Sequence, residues 1–164
     1  MRELKVLVKE KSKKTSFDQL SKKGRSDLMS KIKSKNTKPE IRLRKALYRD
    51  GLRYRIHRKD LPGKPDVSVA KYKIAIEVRG CFWHGHSRCK DGHMPSKNTE
   101  FWRNKLLKNQ ARDRQNLRAL KSLGYQVYVI WECEMRNTES FNKNLLRIYK
   151  YLNQNFSLDL EADG

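Results

Sequence analysis

Residues 66–89 read D-V-S-V-A-K-Y-K-I-A-I-E-V-R-G-C-F-W-H-G-H-S-R-C and contain most of the unusual chemistry of the chain. Apolar residues alternate in two short segments, 66–70 and 73–79, as they do in half-buried strands. The second segment carries Glu77 and Arg79 on the face opposite its apolar residues. Because only a short connection separates the two segments, they are predicted to pair as a β-hairpin. The loop that follows is rich in cysteine, histidine and aromatic residues, a mixture that no ordinary core segment needs.

A helix is predicted ahead of this hairpin, at residues 38–50. Thr37 is placed to cap its first turn, Pro39 suits that turn, and Glu40 completes a T-x-x-E capping box. Gly51 follows the last helical residue, where glycine commonly ends a helix. Both ends of the helix are therefore specified by local sequence.

The remaining segments predict a small α/β fold. They are a strand at 52–57, a turn at 61–65, a long helix at 99–123, a strand at 127–131 and a helix at 139–153. The strand at 127–131, V-Y-V-I-W, is apolar on both faces, as expected of a central strand that is covered on both sides. The predicted fold is a small mixed β-sheet flanked by helices on both faces.

The composition indicates the kind of partner. The chain has 164 residues, and 39 lysines and arginines against 18 acidic residues give a net charge of +21. Such an excess favours a polyanion, with nucleic acid ahead of a membrane surface. No apolar run approaches the roughly 20 residues of a membrane span, and residues 1–10 lack the features of a signal peptide. We therefore expect a cytoplasmic protein, and a monomer.

One domain is predicted between two looser ends. Residues 1–23 are rich in lysine and serine and predict a mobile basic arm, for which plain solubility is the alternative explanation. Residues 24–156 form the predicted domain, and 157–164 form a frayed tail.

Asp66, Glu77 and Arg79 are candidates for metal-dependent phosphodiester hydrolysis. This chemistry needs hard oxygen ligands for Mg²⁺ and a group that orients or activates water, and neighbouring strands hold such groups at fixed separation. A P-D at the start of one strand and E-x-R on the next resemble the P-D…(D/E)-x-K nuclease core, with arginine in place of lysine. Alone this pattern is weak, and the alternative is a surface turn with an ion pair across a hairpin.

The cysteines predict a structural zinc site. Cys81, His86 and Cys89 have the spacing C-x₄-H-x₂-C, and Cys133 follows the last strand, where it is able to complete a tetrahedral set. His93 is an alternative nitrogen ligand. Free thiols with a buried Cys133, and a catalytic cysteine, are the competing explanations, and both rank below zinc.

His84 is left over once the zinc ligands are assigned. Asp113, on the long helix, is a candidate to orient it, which would pair a general base with its orienting carboxylate. A surface histidine without a role is an equally weighted alternative.

Phe82 and Trp83 follow Cys81 in a loop flanked by glycine, where two large aromatic side chains are unusual. Packing on the zinc site is one explanation. In a basic protein, stacking on bases or wedging between base pairs is another.

Several blocks of residues, in order, match a known family. They are G-R-S-D-L-M-S-K-I-K-S-K-N-T-K-P-E at 24–40, L-P-G-K-P-D at 61–66, G-C-F-W-H-G-H at 80–86, T-E-F-W-R-N-K at 99–105 with N-x-x-R-D at 109–113, and V-I-W-E-C at 129–133. Through these blocks the chain resembles the very short patch repair DNA mismatch endonucleases of the P-D…(D/E)-x-K superfamily. The resemblance implies a restriction-endonuclease-like core over roughly residues 24–137.

The resemblance also implies an activity and a set of roles. The enzyme would need Mg²⁺ and would nick one strand of double-stranded DNA 5′ to the mispaired T of a T:G mismatch, alongside other repair factors, at the bacterial nucleoid. By this resemblance, Asp66 would bind Mg²⁺, His84 would act as a base or proton shuttle with Asp113 beside it, and Glu40 would help to order metal-bound water. The zinc ligands would be Cys81, His86, Cys89 and Cys133. The wedge that intercalates between base pairs would consist of Met29, Phe82 and Trp83. For Glu40 the capping box competes with this role, and for Met29 an ordinary structural position does.

Three features depart from the family pattern. Arg79 stands where better-known members have histidine or aspartate, and Glu77 stands at a position that is usually apolar, which makes Glu77 a candidate catalytic carboxylate. The loop between His86 and Cys89 is one residue longer. These departures keep open a restriction-type or mobile-element endonuclease that cuts paired DNA, and a zinc-stabilised DNA-binding module without catalysis.

Overall fold

The computed structural model describes residues 21, 23, 24, 27, 30, 31 and 35–156. Contacts divide the chain into two compact units, Met1–Lys33 and Ser34–Gly164. The predicted tail, and all but residues 21 and 23 of the predicted arm, lie outside the described residues, so the predicted domain division stays a prediction. No helix among the described residues is long and apolar enough to cross a membrane.

The second unit contains three strands and four α-helices within its described residues. In chain order they are α1 (Lys38–Arg49), β1 (Val67–Val69), β2 (Ile74–Arg79), α2 (Thr99–Ser122), β3 (Gln126–Trp131), α3 (Glu132–Arg136) and α4 (Thr138–Phe156). Short 3₁₀ turns lie at Ala70–Tyr72, inside the hairpin, and at Lys90–Gly92. The predicted hairpin and the predicted helices at 38–50 and 99–123 are confirmed to within a residue or two.

The sheet is mixed, as predicted, with strand order β1-β2-β3. β1 pairs antiparallel with β2 in the register Val67↔Ile76, and β2 pairs parallel with β3 up to Arg79↔Trp131. A parallel pair needs a crossover connection, and α2 provides it. The prediction that the strand at 127–131 is central was wrong, because β2 is the middle strand of the described sheet and β3 lies beside it.

Helices cover both faces of the sheet. Successive residues of β2 point to opposite faces, so Ile74 and Ile76 join one apolar cluster and Ala75 joins another. The larger cluster includes residues from α1, α4 and all three strands: Leu43, Leu47, Val67, Ile74, Ile76, Ile130, Ile148 and Leu152. The smaller cluster brings α2 onto the other face through Leu61, Ala75, Leu120 and Tyr125.

Two further predictions needed correction. The strand predicted at 52–57 is reduced to one bridge between Arg55 and Ser68, and His57 has a left-handed φ of 47° that interrupts extended structure. The final helix is preceded by α3, which was not predicted, because a five-residue helix is too short to show an amphipathic period. Glu134 stabilises the start of α3 by accepting a hydrogen bond from the Trp131 amide at 2.8 Å.

Candidate active site and metal centre

The hairpin places Asp66 at the end of the sheet where β1 begins and β2 ends. Asp66 directly precedes β1, and the register Val67↔Ile76 sets it beside Glu77 on the neighbouring strand. Its Oδ2 accepts a hydrogen bond from the Val78 amide at 2.7 Å. This bond fixes one carboxylate oxygen and leaves Oδ1 for other partners.

Burial raises the pKa of Asp66 to about 6. The negative charges of Glu40 and Glu77 contribute to this rise in the pKa, while the Val78 hydrogen bond and the Arg44 charge act in the opposite direction. A buried carboxylate that holds its proton more tightly than usual gains most when a cation replaces that proton. The chemistry of this group therefore fits a divalent cation.

Arg79 connects two carboxylates next to Asp66. Its Nη2 and Nε donate to Glu77 Oε2 at 2.5 and 3.0 Å, and its Nη1 lies 3.8 Å from Asp113 Oδ2. The ion pair with Glu77 lies within β2, between residues on the same face. Arg79 thus forms an ion pair with Glu77 and connects the sheet to α2.

His84 and Asp113 are brought together, as predicted. His84 Nδ1 lies 2.5 Å from Asp113 Oδ2, and Asp113 is buried on the face of α2 that packs against the loop. Asn109, one helical turn earlier, donates to the Trp83 carbonyl at 2.9 Å. One face of α2 therefore fixes both the ring and the backbone of the loop.

A cavity of about 360 Å³ opens beside this pair. It is lined by His84, Asp113 and three arginines, Arg79, Arg88 and Arg114, among other residues. Such a polar, positively charged cleft suits a phosphate group.

Glu40 lies at the start of α1 and also at the site. Thr37 caps the helix by accepting from the Glu40 amide at 3.5 Å, but the predicted capping box is incomplete, because the Glu40 carboxylate accepts from the Thr37 hydroxyl and the Asn36 amide and not from the Thr37 amide. Glu40 Oε1 accepts from the Thr37 hydroxyl at 2.8 Å, and its Oε2 accepts from the Asn36 amide at 2.9 Å and from Arg44 Nη2 at 2.8 Å. Its carboxylate also belongs to a group with His57 and Asp66 whose potential ligand atoms all lie within 4.8 Å of one another. The capping role and a place at the site are thus compatible.

Sequence reasoning missed His57 and Arg44. Neither falls in a recognisable motif, and the eight residues between His57 and Asp66 give no ligand spacing that would single out the histidine. Burial, with Arg44 and Lys35 nearby, lowers the pKa of His57, against the opposing effect of Glu40. The fold alone reveals that both residues face the carboxylates.

The predicted metal ligands Cys81, His86, Cys89 and Cys133 converge, with all ligand atoms within 4.8 Å of one another. His86 Nδ1 lies 3.5 Å from Cys133 Sγ, close to the edge of about 3.6 Å expected between nitrogen and sulfur around a tetrahedral zinc ion. Without a cation, burial raises the pKa of Cys81 to about 12. The set therefore fits a metal that stabilises thiolates.

The alternative nitrogen ligand His93 lies outside this cluster. It is exposed, and its Nδ1 contacts the Lys90 carbonyl at 2.7 Å. His86 instead stacks on Trp131, with ring centroids 4.2 Å apart and planes 5° apart. Gly92 allows the loop to close, since a Cβ there would lie 2.0 Å from the His86 carbonyl oxygen.

Phe82 and Trp83 are half-buried and pack against Trp102 of α2, with ring centroids 5.0 and 6.0 Å from it. Phe101 extends this group and is 58% exposed. The loop thus presents a preassembled aromatic surface beside His84. The third predicted wedge residue, Met29, lies outside the described residues.

Comparisons with known proteins identify the family of the chain. A family model described as DNA mismatch endonuclease Vsr matches residues 17–90. The chain is 46% identical to the type II nicking enzyme V.NmeAIP of Neisseria meningitidis over 126 residues, which is 77% of this chain and 89% of that protein. It is 40% identical to the type II nicking enzyme V.XorIIP of Xanthomonas oryzae over 131 residues, covering 80% and 96% of the two chains. It is 39% identical to the DNA mismatch endonuclease Vsr of Escherichia coli over 122 residues, covering 74% and 78%.

Proposed function

Because the chain belongs to the Vsr family of DNA endonucleases, we propose that it nicks one strand of duplex DNA 5′ to the T of a T:G mismatch. The observation that supports this most is that the half-buried Asp66 carboxylate lies beside Glu77 and Arg79, and that Arg79 in turn reaches the His84–Asp113 pair and its arginine-lined cleft. Metal-dependent hydrolysis needs such an arrangement.

Asp66 is the residue proposed to hold Mg²⁺. When bound, the ion would polarise the phosphoryl group and lower the pKa of a water molecule. The Val78 amide keeps the Asp66 carboxylate in place before any cation arrives. Glu40 is proposed to help order water at this site, and Glu77 to add negative charge that favours the cation.

His84 is proposed to move the proton. Asp113 accepts the hydrogen bond from Nδ1, which leaves Nε2 as the atom that exchanges a proton with water or the leaving oxygen. Arg79 approaches Asp113 from the sheet and holds the carboxylate in this orientation.

Cys81, His86, Cys89 and Cys133 are proposed to hold a structural Zn²⁺. The four ligands leave no open position, so this ion would act on the fold and not on the reaction. It would join the loop to α3 and thereby fix His84, Phe82 and Trp83, which lie between the first two ligands. Phe82 and Trp83, with Met29, are proposed to open the base stack at the mismatch.

The test is Mg²⁺-dependent nicking of a labelled duplex with one T:G mismatch beside its fully paired twin, in varied flanking sequences. Asp66→Ala is expected to abolish nicking but to keep DNA binding, because lysines and arginines dominate phosphate contact. Asp60→Ala, at an exposed aspartate paired with Arg58, is the matched control. Nicking that persists in Asp66→Ala would rule out the assigned active site.

A second candidate is a nicking enzyme that acts on paired DNA. It is favoured by the names of two similar relatives, which are type II nicking enzymes. Equal nicking of both duplexes would support it. Cutting of neither duplex in any flanking sequence would instead support a DNA-binding module.

A further inference from the structure

His57 occupies the space between two carboxylates of the site. Its Nδ1 lies 3.9 Å from Asp66 Oδ1, and its Nε2 lies 4.0 Å from Glu40 Oε2. The backbone holds it there, since the His57 amide donates to the Pro65 carbonyl at 3.1 Å. Its φ of 47° lies in the left-handed region, which is uncommon for residues other than glycine.

Arg44 determines which nitrogen of the His57 ring carries the proton. Arg44 Nη2 lies 3.2 Å from His57 Nε2, and a guanidinium has only hydrogen-bond donors. His57 Nε2 therefore accepts this bond. The ring hydrogen is then on Nδ1, which faces Asp66 Oδ1.

The same hydrogen bond argues against His57 as a ligand of the cation. Ligation through Nδ1 would move the ring hydrogen to Nε2 and set it against the Arg44 donors. Arg44 also donates to Glu40 at 2.8 Å and to Asn36 Oδ1 at 2.6 Å, so moving it away from His57 would break these hydrogen bonds as well. A donor role toward Asp66 agrees with all of these contacts.

We propose that His57 is a positioning residue that donates its Nδ1–H to Asp66 Oδ1 and orients this carboxylate for the divalent cation. This inference rests on the proposed function, in which Asp66 holds the metal. The two atoms approach by about 1 Å to form the bond, as expected of a site that tightens when its ligands bind. The Val78 amide holds Oδ2 and His57 holds Oδ1, so both oxygens have a defined direction.

The experiment compares His57→Phe, which keeps a planar ring without a donor, with His57→Gln, which keeps an N–H donor. Mn²⁺ binding to the zinc-loaded protein is followed by electron paramagnetic resonance, and the Mg²⁺ concentration that half-saturates nicking is measured in parallel. His57→Phe is expected to weaken both by about 10-fold, the usual effect of losing a partner of a metal ligand. His57→Gln is expected to restore binding close to the parent value.

His93→Phe is the matched control, because His93 is exposed and outside both clusters. Parent-like Mn²⁺ binding and Mg²⁺ dependence in His57→Phe would overturn the inference. Equal weakening in the Phe and Gln variants would also overturn it, because packing and not the donor would then be responsible. Asp66→Ala separates the two proposals: if it leaves metal binding and nicking intact, the proposed function itself has failed.

Discussion

Asp66 carries a free-energy cost that its proposed role as a metal ligand would explain. Its neighbours on β2 and α1 add negative charge, and burial raises its pKa to about 6. In the folded protein this carboxyl keeps its proton at a pH where the unfolded chain has lost it. Folding stability contributed by this residue is therefore present at low pH and is lost as the pH rises from about 4 to about 6.

Asp66→Asn is expected to stabilise the metal-free protein at pH 7 by roughly 1–3 kcal/mol, because the amide keeps the Val78 hydrogen bond without a buried charge. Urea unfolding at pH 4 and pH 7, with zinc retained, measures this difference. The gain should shrink at pH 4, where the parent carboxyl is protonated. A variant that is less stable than the parent at pH 7 would show that the ionised Asp66 carboxylate does not destabilise the folded protein.

Asp113→Asn is expected to reduce single-turnover nicking by about 10²–10⁴-fold, as is His84→Ala, because the proton-transferring ring loses its orientation or is absent. DNA binding should remain near the parent level in both variants. His93→Ala, at an exposed histidine, should nick normally. If Asp113→Asn nicks at the parent rate, the His84–Asp113 pair has no part in proton transfer.

The sequence predicted the residues of the site that belong to compact motifs. Cys81, His86 and Cys89 are close in the chain, and Asp66 directly follows a predicted turn and begins a predicted strand. His57 and Arg44 were not predicted, because a left-handed backbone residue and a helix face bring them to Asp66 and neither leaves a pattern in the sequence.

At the scale of elements, the cysteine and histidine loop has almost no apolar core of its own. The ligand atoms of Cys81 and Cys89, at its two ends, lie within 4.8 Å of Cys133 in α3, and its middle is held by α2 through Asn109 and Asp113. If the four ligands hold zinc as proposed, the order of this loop depends on that ion.

Removal of zinc with a chelator is expected to lower the melting temperature by about 10 °C or more, since structural zinc contributes several kcal/mol to folding. Calorimetry and metal analysis, with one zinc per chain in the starting protein, provide the measurement. Cys133→Ser should behave like the chelated protein. A melting curve that zinc removal leaves unchanged would refute a structural metal.

Elements were predicted well where the chain carries its own boundary signals. The Thr37 cap and the glycine after α1 define the ends of that helix, and Gly124 likewise marks the end of α2. β3 was wrongly predicted to be the central strand, because apolar residues on both faces indicate that a strand is buried but not where it lies in the sheet. The position of β3 depends on α2, which carries the chain across the sheet.

At the scale of the whole molecule, the net charge of +21 predicts binding to DNA that depends strongly on salt. A protein that contacts six to ten phosphates loses about 10³–10⁵-fold in affinity between 50 and 200 mM salt. Fluorescence anisotropy of a paired duplex over this range is expected to give a loss of that size. A nearly flat dependence would mean that the basic residues do not contact the DNA backbone.

The pairing of β2 with β3 has a consequence for how the chain assembles. The last residues of that register are Arg79 and Trp131, and Cys81 and Cys133 each follow two positions later. A one-residue slip of β3 would displace the start of α3, and Cys133 with it, by about 3.3 Å. During synthesis on the ribosome, the emerged chain has only three of the four predicted ligands until Cys133 has followed β3 out of the ribosome. Pairing of β3 with β2 then brings Cys133 to the other three ligands. If the four residues hold zinc as proposed, the complete ligand set forms only in chains whose strands have paired in the correct register, and the ion would favour those chains over misaligned intermediates.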